Sequence, residues 1–335
     1  FNFYYYLRAQ GKLWLWRLGW QIVNLWSPRV KTILINYFKA DKPDLVISSN
    51  LMGLGFGAVK AIRAMGLKHI HILHDVQLLQ PSGLFAWNKR RDSILEKIYQ
   101  WFTKRIFNEV GVVVSPSVWL IREHERRGFF IKSVKQVLPN PVPLKLVSPI
   151  IEQTMEGVKE ILYVGQAAEH KGVSWLIKTL QQSNLTGWRL RLVLWADKST
   201  KQSIDKLIKN DKRFEVAVDL SQKEIDSYIA KSYLVIMPSL CCENYPTVII
   251  KALSLGRPVL AAQSGGVPEI IKSNINGWLF RPGDGEGFLA ILNNLLQQPD
   301  LVNQAAKGAV ENSAGLSLEE YAANLLSLVK ASNLA

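Results

Sequence analysis

The sequence predicts an α/β protein with two doubly wound, parallel-sheet domains, and three observations carry that reading. Short apolar runs alternate with amphipathic segments from about residue 45 to residue 296, and strict β/α alternation builds parallel sheets. Several runs are apolar at every position, Tyr233 to Met237 (YLVIM) being the plainest, as expected of a strand covered on both faces. Between the halves, Pro139 to Pro149 holds four prolines, which neither a helix nor a central strand accepts, so it reads as a linker. With 335 residues, 48% of them apolar, the chain can fill two cores. The domains are expected over 1–145 and 146–335.

In the first half, residues 1–37 read as helical, and 45–49, 69–73 and 111–115 as strands with helices between them. Gly53, Gly55 and Gly57 make a turn ahead of a helix at 58–65, as any strand-to-helix connection could. In the second half, strands are expected at 160–164, 190–195, 214–218, 233–237, 258–262 and 278–280. They alternate with helices at 173–182, 202–209, 222–230, 247–255, 267–272 and 285–296.

The densest stretch runs from Pro238 to Phe280. Pro238 and Ser239 end a strand, a polar loop carries Glu243, and Pro246 suits the first position of a helix, where no NH is needed. Thr247 to Leu255 is that helix, with Gly256 as its stop. Val259 to Ala262 is the next strand, and Gly265-Gly266 a tight turn at its carboxyl end. Ligands of open α/β sheets bind at the carboxyl ends of strands, beside helix N-termini, so Glu243 and the two glycines share one rim.

As an ordered set these residues resemble the signature of glycosyltransferase family 4, the retaining enzymes of the GT-B fold. Glu243, Ala252, Gly256-Arg257-Pro258-Val259, Gly265 to Glu269 and Asn276-Gly277 all match that pattern. Lys251 stands where the family has a second glutamate. Ile161 to Gly172 (ILYVGQAAEHKG) resembles the first strand of the donor-binding domain, with Gly165 at the strand end and Gln166 in place of an arginine. The segments KPDLVISSN, HILHD, VVVSPS and VLPNPV, beginning at Lys42, His71, Val112 and Val137, resemble the first domain and the interdomain linker. Family members place a further strand and a Gly-rich loop earlier, so the resemblance implies a first domain incomplete at its start.

The resemblance implies two Rossmann-like domains facing a cleft and transfer of a sugar from a nucleotide sugar to a glycan or lipid-linked acceptor. Lys171 and the N-terminus of the 247–255 helix would stabilise charge building on the diphosphate, which needs no metal or other cofactor. Glu243 would hold the donor sugar; its bland alternative is a solvated loop acid. Gly165, Gln166, Asn244, Tyr245, Pro246, Thr247 and Lys251 would line the nucleotide side. An ammonium at Lys251 can only donate where a carboxylate accepts, so ribose contacts would change. His74 matches a histidine that approaches the sugar from the first domain, or else simply caps its loop, while His71 reads as structural. A catalytically degenerate protein that binds a glycan or serves as a scaffold is the second reading, favoured by Lys251 and Gln166. An epimerase acting on the sugar nucleotide alone is the third.

The net charge of +14 is uneven: residues 1–150 hold 22 of the 41 Lys and Arg but 8 of the 27 Asp and Glu. Trp14, Trp16, Trp20 and Trp26 lie among these cations, a pattern that suits a cytoplasmic protein adsorbed peripherally to an anionic membrane face. A partly buried helix with a solvated basic side would look the same. No motif for nucleic acid accompanies the charge. Adjacent Cys241 and Cys242 make neither a disulfide framework nor a zinc site.

Overall fold

A computed structural model of the chain describes residues 19, 23–89, 91–141, 157–311 and 317–334. The chain divides into two compact units, one of Phe1–Phe85, Lys89–Pro139 and Ala322–Ala335, the other of Ala86–Asn88 and Asn140–Tyr321. Among the described residues each contains one wholly parallel sheet.

In the first unit, helix α1 (Pro28–Asp41) leads to β1 (Leu45–Ser49), α2 (Gly57–Ala64), β2 (Lys68–Ile72), α3 (Ile94–Phe107), β3 (Val112–Ser115), α4 (Val118–Glu125) and β4 (Val134–Val137). The strands lie in the order β1-β2-β3-β4. The core includes Val113 and Val114 of β3, Ala61 and Ile62 of α2, and Phe107 of α3. Between β1 and β2 lies a buried polar link, Ser48 Oγ bonding His69 Nε2 at 2.6 Å and His71 Nδ1 at 2.8 Å. Burial holds His69 down at about 4 and His71 well below the ordinary imidazole value, so both stay neutral.

Of the helix expected over 1–37, the described part includes α1 from Pro28; residues 1–18 and 20–22 lie outside the described ones, and so do residues 142–156, including most of the proposed linker. Strand β4 was not among the expected strands: its sequence, V-K-Q-V, is exposed along most of its length and offers no apolar run.

The second unit contains β5 (Lys159–Gln166), a single 3-10 turn (Glu169–Lys171), α5 (Val173–Gln181), β6 (Trp188–Trp195), α6 (Lys198–Ile208), β7 (Phe214–Val218), α7 (Gln222–Lys231) and β8 (Leu234–Met237). There follow α8 (Thr247–Ser254), β9 (Val259–Ala262), α9 (Val267–Ile270), β10 (Gly277–Phe280), α10 (Gly285–Gln297) and α11 (Pro299–Glu311). Alternate residues feed two cores. Ile161, Tyr163, Leu192, Ile236 and Leu260 pack with α5 on one face, while Leu162, Val164, Val193, Val235 and Ala261 pack with α7 and α8 on the other. Helix α6 begins at Lys198, earlier than expected, because Asp197 accepts a hydrogen bond from Thr200 N at 2.7 Å and caps it. The last helix, α12 (Leu318–Leu334), belongs from Ala322 onward to the first unit.

The strand order β10-β9-β8-β5-β6-β7 decides where a ligand can sit. From β5 the chain winds outward through β6 to β7, then crosses back to β8 on the other side of β5 and winds outward again. The loops leaving β5 and β8 therefore part from one another and open a crevice at the carboxyl edge.

Candidate functional site

That crevice is a cleft of about 360 Å³, lined among others by Gly165, Gln166, Lys171, Glu243, Tyr245, Pro246 and Thr247. The elements expected from the sequence thus converge, and main-chain packing holds them. Gly172, at φ +77°, lies so close to the end of β8 that a Cβ there would come 1.9 Å from Pro238 O. Gly265, at φ +60°, is equally tight: a Cβ would stand 2.0 Å from Glu243 O, which also accepts the Gly266 NH at 2.7 Å. Leu240 N donates to His170 O at 2.9 Å and Ser264 Oγ to Cys241 O at 2.9 Å. Main-chain contacts with its neighbours therefore hold the Glu243 loop from outside.

Within this frame Lys171 Nζ donates to Glu243 Oε1 at 2.8 Å, and Ser239 Oγ donates to the same oxygen at 2.6 Å. Cys241 Sγ points at it from 3.8 Å. Burial first, and the Glu243 charge second, push the Cys241 thiol up to about 12, so it remains protonated and is no nucleophile. Pro246 occupies the N-cap position of α8, one residue before its expected place, and no side chain caps the helix. The first NH groups of a helix have no partner within it, so this uncapped end, with Thr247 and Val248 on the cleft wall, offers donors and a positive dipole to an anion. Beside Gln166 on the neighbouring strand stands Trp195, a residue 44% exposed, on the same wall.

Two candidate residues lie elsewhere in the unit. Lys251 does not line the cleft: its Nζ pairs with Asp226 Oδ1 of α7 at 2.5 Å. Asn244 sits in the Glu243 loop but is not among the lining residues. His74 belongs to the first unit, two residues beyond β2, with its Nε2 2.5 Å from Ser49 Oγ. Burial lowers its pKa and, next to it, raises Asp75 to about 6. Trp195 and Ser239 received no role from the sequence. Ser239 had a signal, the Pro-Ser that closes β8; an exposed tryptophan at a strand end became informative only once its neighbour strand was known.

Two family models match the chain side by side: Glycosyltransferase Family 4 over residues 5–146 and Glycosyl transferases group 1 over residues 150–311. The chain belongs to glycosyltransferase family 4. Over 273 residues this glycosyltransferase is 23% identical to an uncharacterized 42.6 kDa protein in the cps region of Klebsiella pneumoniae, covering 80% of this chain and 70% of the relative. Over 98 residues it is 35% identical to the amylovoran biosynthesis glycosyltransferase AmsK of Erwinia amylovora, covering 27% of this chain and 24% of the relative. Among solved structures it is similar to HepE of Anabaena in complex with UDP-glucose, with a TM-score of 0.72 at 17% identity over 90% of this chain and 82% of that one. At such identity the likeness shows the fold, which is GT-B, and the two parallel sheets of the glycosyltransferase agree with it. No helix among the described residues is long and apolar enough to cross a membrane.

Proposed function

We propose that this glycosyltransferase is a retaining, metal-independent hexosyltransferase that moves a sugar from a nucleotide donor to a glycan or lipid-linked acceptor during envelope polysaccharide or glycoconjugate synthesis. The observation that carries the reading is the meeting of Lys171, Glu243 and the uncapped end of α8 around one cleft. The donor's diphosphate would lie between the Lys171 ammonium and the NH groups of Thr247 and Val248, where charge developing as the C1–O bond breaks is stabilised. Glu243, oriented by Ser239, would hold the sugar hydroxyls. Gly165, Gln166, Asn244, Tyr245 and Pro246 would complete the nucleotide side, with the base stacked on Trp195. Lys251 would touch ribose only by leaving Asp226. His74 would be the catalytic histidine.

The relatives support this setting: AmsK by its name serves amylovoran biosynthesis, and HepE was solved with UDP-glucose. Uncharged Gln166 and the engaged Lys251 favour the second reading, a donor-binding protein without turnover. A panel of UDP-, GDP- and ADP-sugars separates the two, since turnover releases nucleoside diphosphate upon acceptor addition, persists in EDTA and disappears in Glu243→Ala. Binding without release, in the presence of a cell-envelope glycolipid extract, would favour the non-catalytic reading. A cytoplasmic, membrane-peripheral location fits a lipid-linked acceptor and the basic first half.

A further inference from the structure

Helix α3 is built inside out. At 100° per residue, Ile94, Leu95, Ile98, Trp101 and Phe102 fall within one arc of about 120°. All five are exposed, Leu95 by 78% and Trp101 by 46%. The buried face carries Tyr99, Gln100 and Thr103 as well as Ile106 and Phe107. Its polar groups are tied down: Tyr99 Oη donates to Gln77 O at 2.9 Å, Gln100 Nε2 to Leu79 O at 3.1 Å, and Thr103 Oγ1 to Leu78 O at 2.8 Å. Turning the helix to hide its apolar arc would break three buried hydrogen bonds and expose Phe107, so the outward presentation is fixed by the fold.

A helix on the surface of a globular unit normally shows the opposite pattern, and a continuous exposed apolar patch marks an interaction surface. Charge says with what. Arg105 lies in the middle of the arc, its guanidinium 3.7 Å from the centre of the Trp101 ring. Lys97 and Lys104 flank the arc on one side, and the helix's one acid, Glu96, faces Lys89 at 2.5 Å and caps the helix through Ser93. Basic residues around exposed aliphatic and aromatic side chains match a lipid interface, where Trp sits at headgroup depth and cations meet lipid phosphates. A second copy of the same face would bring like charges together.

We infer that α3 is a docking element for an anionic lipid surface, with Ile94, Leu95, Ile98, Trp101 and Phe102 entering the boundary between headgroups and acyl chains while Lys97, Lys104 and Arg105 bind phosphates. This differs from the expectation drawn from the Trp-rich start, of which Trp14, Trp16 and Trp20 lie outside the described residues. It stands independently of sugar transfer, because it concerns a surface and not the donor cleft.

The test is co-sedimentation of the full-length protein with vesicles of phosphatidylcholine alone and of phosphatidylcholine with phosphatidylglycerol. Binding is expected only to the anionic vesicles, falling as salt rises. Leu95→Ser with Ile98→Ser should lower the partition coefficient by about tenfold or more, since two apolar side chains leave the interface. Melting temperature and nucleotide-sugar binding should not change, so a failed donor-site reading leaves this result intact. Unaltered sedimentation of the double variant, equal binding to neutral vesicles, no binding at all, or a wild-type dimer that the double variant abolishes would each overturn the assignment.

Discussion

Lys171 and Glu243, 72 positions apart in sequence, meet at 2.8 Å in the cleft of the second unit. The pair is only partly open to solvent, and Ser239 donates to the same carboxylate oxygen. An ammonium so placed is held within reach of an arriving diphosphate instead of sweeping through solvent. Lys171→Met should therefore lower turnover by about 10²–10³-fold, the usual effect of removing one preorganised charge stabiliser. Lys171→Arg should recover part of it. Initial rates of nucleotide release from the preferred donor measure both.

The Glu243 loop depends on glycine. Gly265→Ala forces a Cβ onto Glu243 O at 2.0 Å and into a positive φ. Destabilisation of about 1–3 kcal/mol is expected, together with loss of donor binding, because the loop must shift before the methyl fits. Urea unfolding and calorimetric titration with nucleotide sugar give the two quantities. A variant of wild-type stability with full donor affinity would show that the loop is not held in this way.

Lys251→Glu would restore the family's glutamate but set a carboxylate against Asp226, whose oxygen is now 2.5 Å from the Lys251 amine. Asp226 is substantially exposed, so the lost pair and the new repulsion are together worth about 0.5–1 kcal/mol. The single variant should melt lower, and the Lys251→Glu/Asp226→Lys exchange should recover most of the loss.

If Trp195 stacks a nucleobase, Trp195→Ala should weaken nucleotide binding by about 1–2 kcal/mol and Trp195→Phe should weaken it less. Calorimetry with UDP, GDP and ADP would read this directly, and equal affinity in the alanine variant would remove the base from that wall.

The first unit should lose stability in acid. Burial lowers His69 and His124 to about 4 and His71 well below its usual value, so the folded unit stays unprotonated where the unfolded chain takes up protons. Unfolding then gains protons between pH 6.5 and about 4, and stability falls as pH drops through that window. Asp75, raised to about 6, acts in the opposite sense, because its folded form keeps a proton the unfolded chain has released. With His74, also lowered by burial, four imidazoles outweigh one carboxyl. Urea midpoints at pH 7, 5.5 and 4.5 should decline in that order, and Asp75→Asn should steepen the decline.

How much of this could be read from the linear chain follows from what each element hides. Strands β5, β8 and β9 are covered on both faces, so they appear as unbroken apolar runs, and Gly and Pro mark where they stop. The Lys171, Glu243 and Thr247 cluster was legible because two strand-to-helix connections, β5 to α5 and β8 to α8, were. β4 was not, since an exposed V-K-Q-V gives no period. Nor could the partner of Lys251 be seen, for Asp226 comes from another helix. Hydropathy is similarly silent about α3: its pattern of Ile, Leu, Trp and Phe is that of a core face, and only the bonds to residues 77–79 turn it outward.

The close approach of Gly172 to Pro238 and of Gly265 to Glu243 has a consequence for how such a protein can change over generations. Those two seams are made of main chain, so the rim's shape does not depend on which side chains decorate it. Positions such as 166 and 195 are then free to drift toward new sugars or bases while the scaffold beneath stays put, whereas any side chain larger than hydrogen at 172 or 265 would jeopardise every specificity at once.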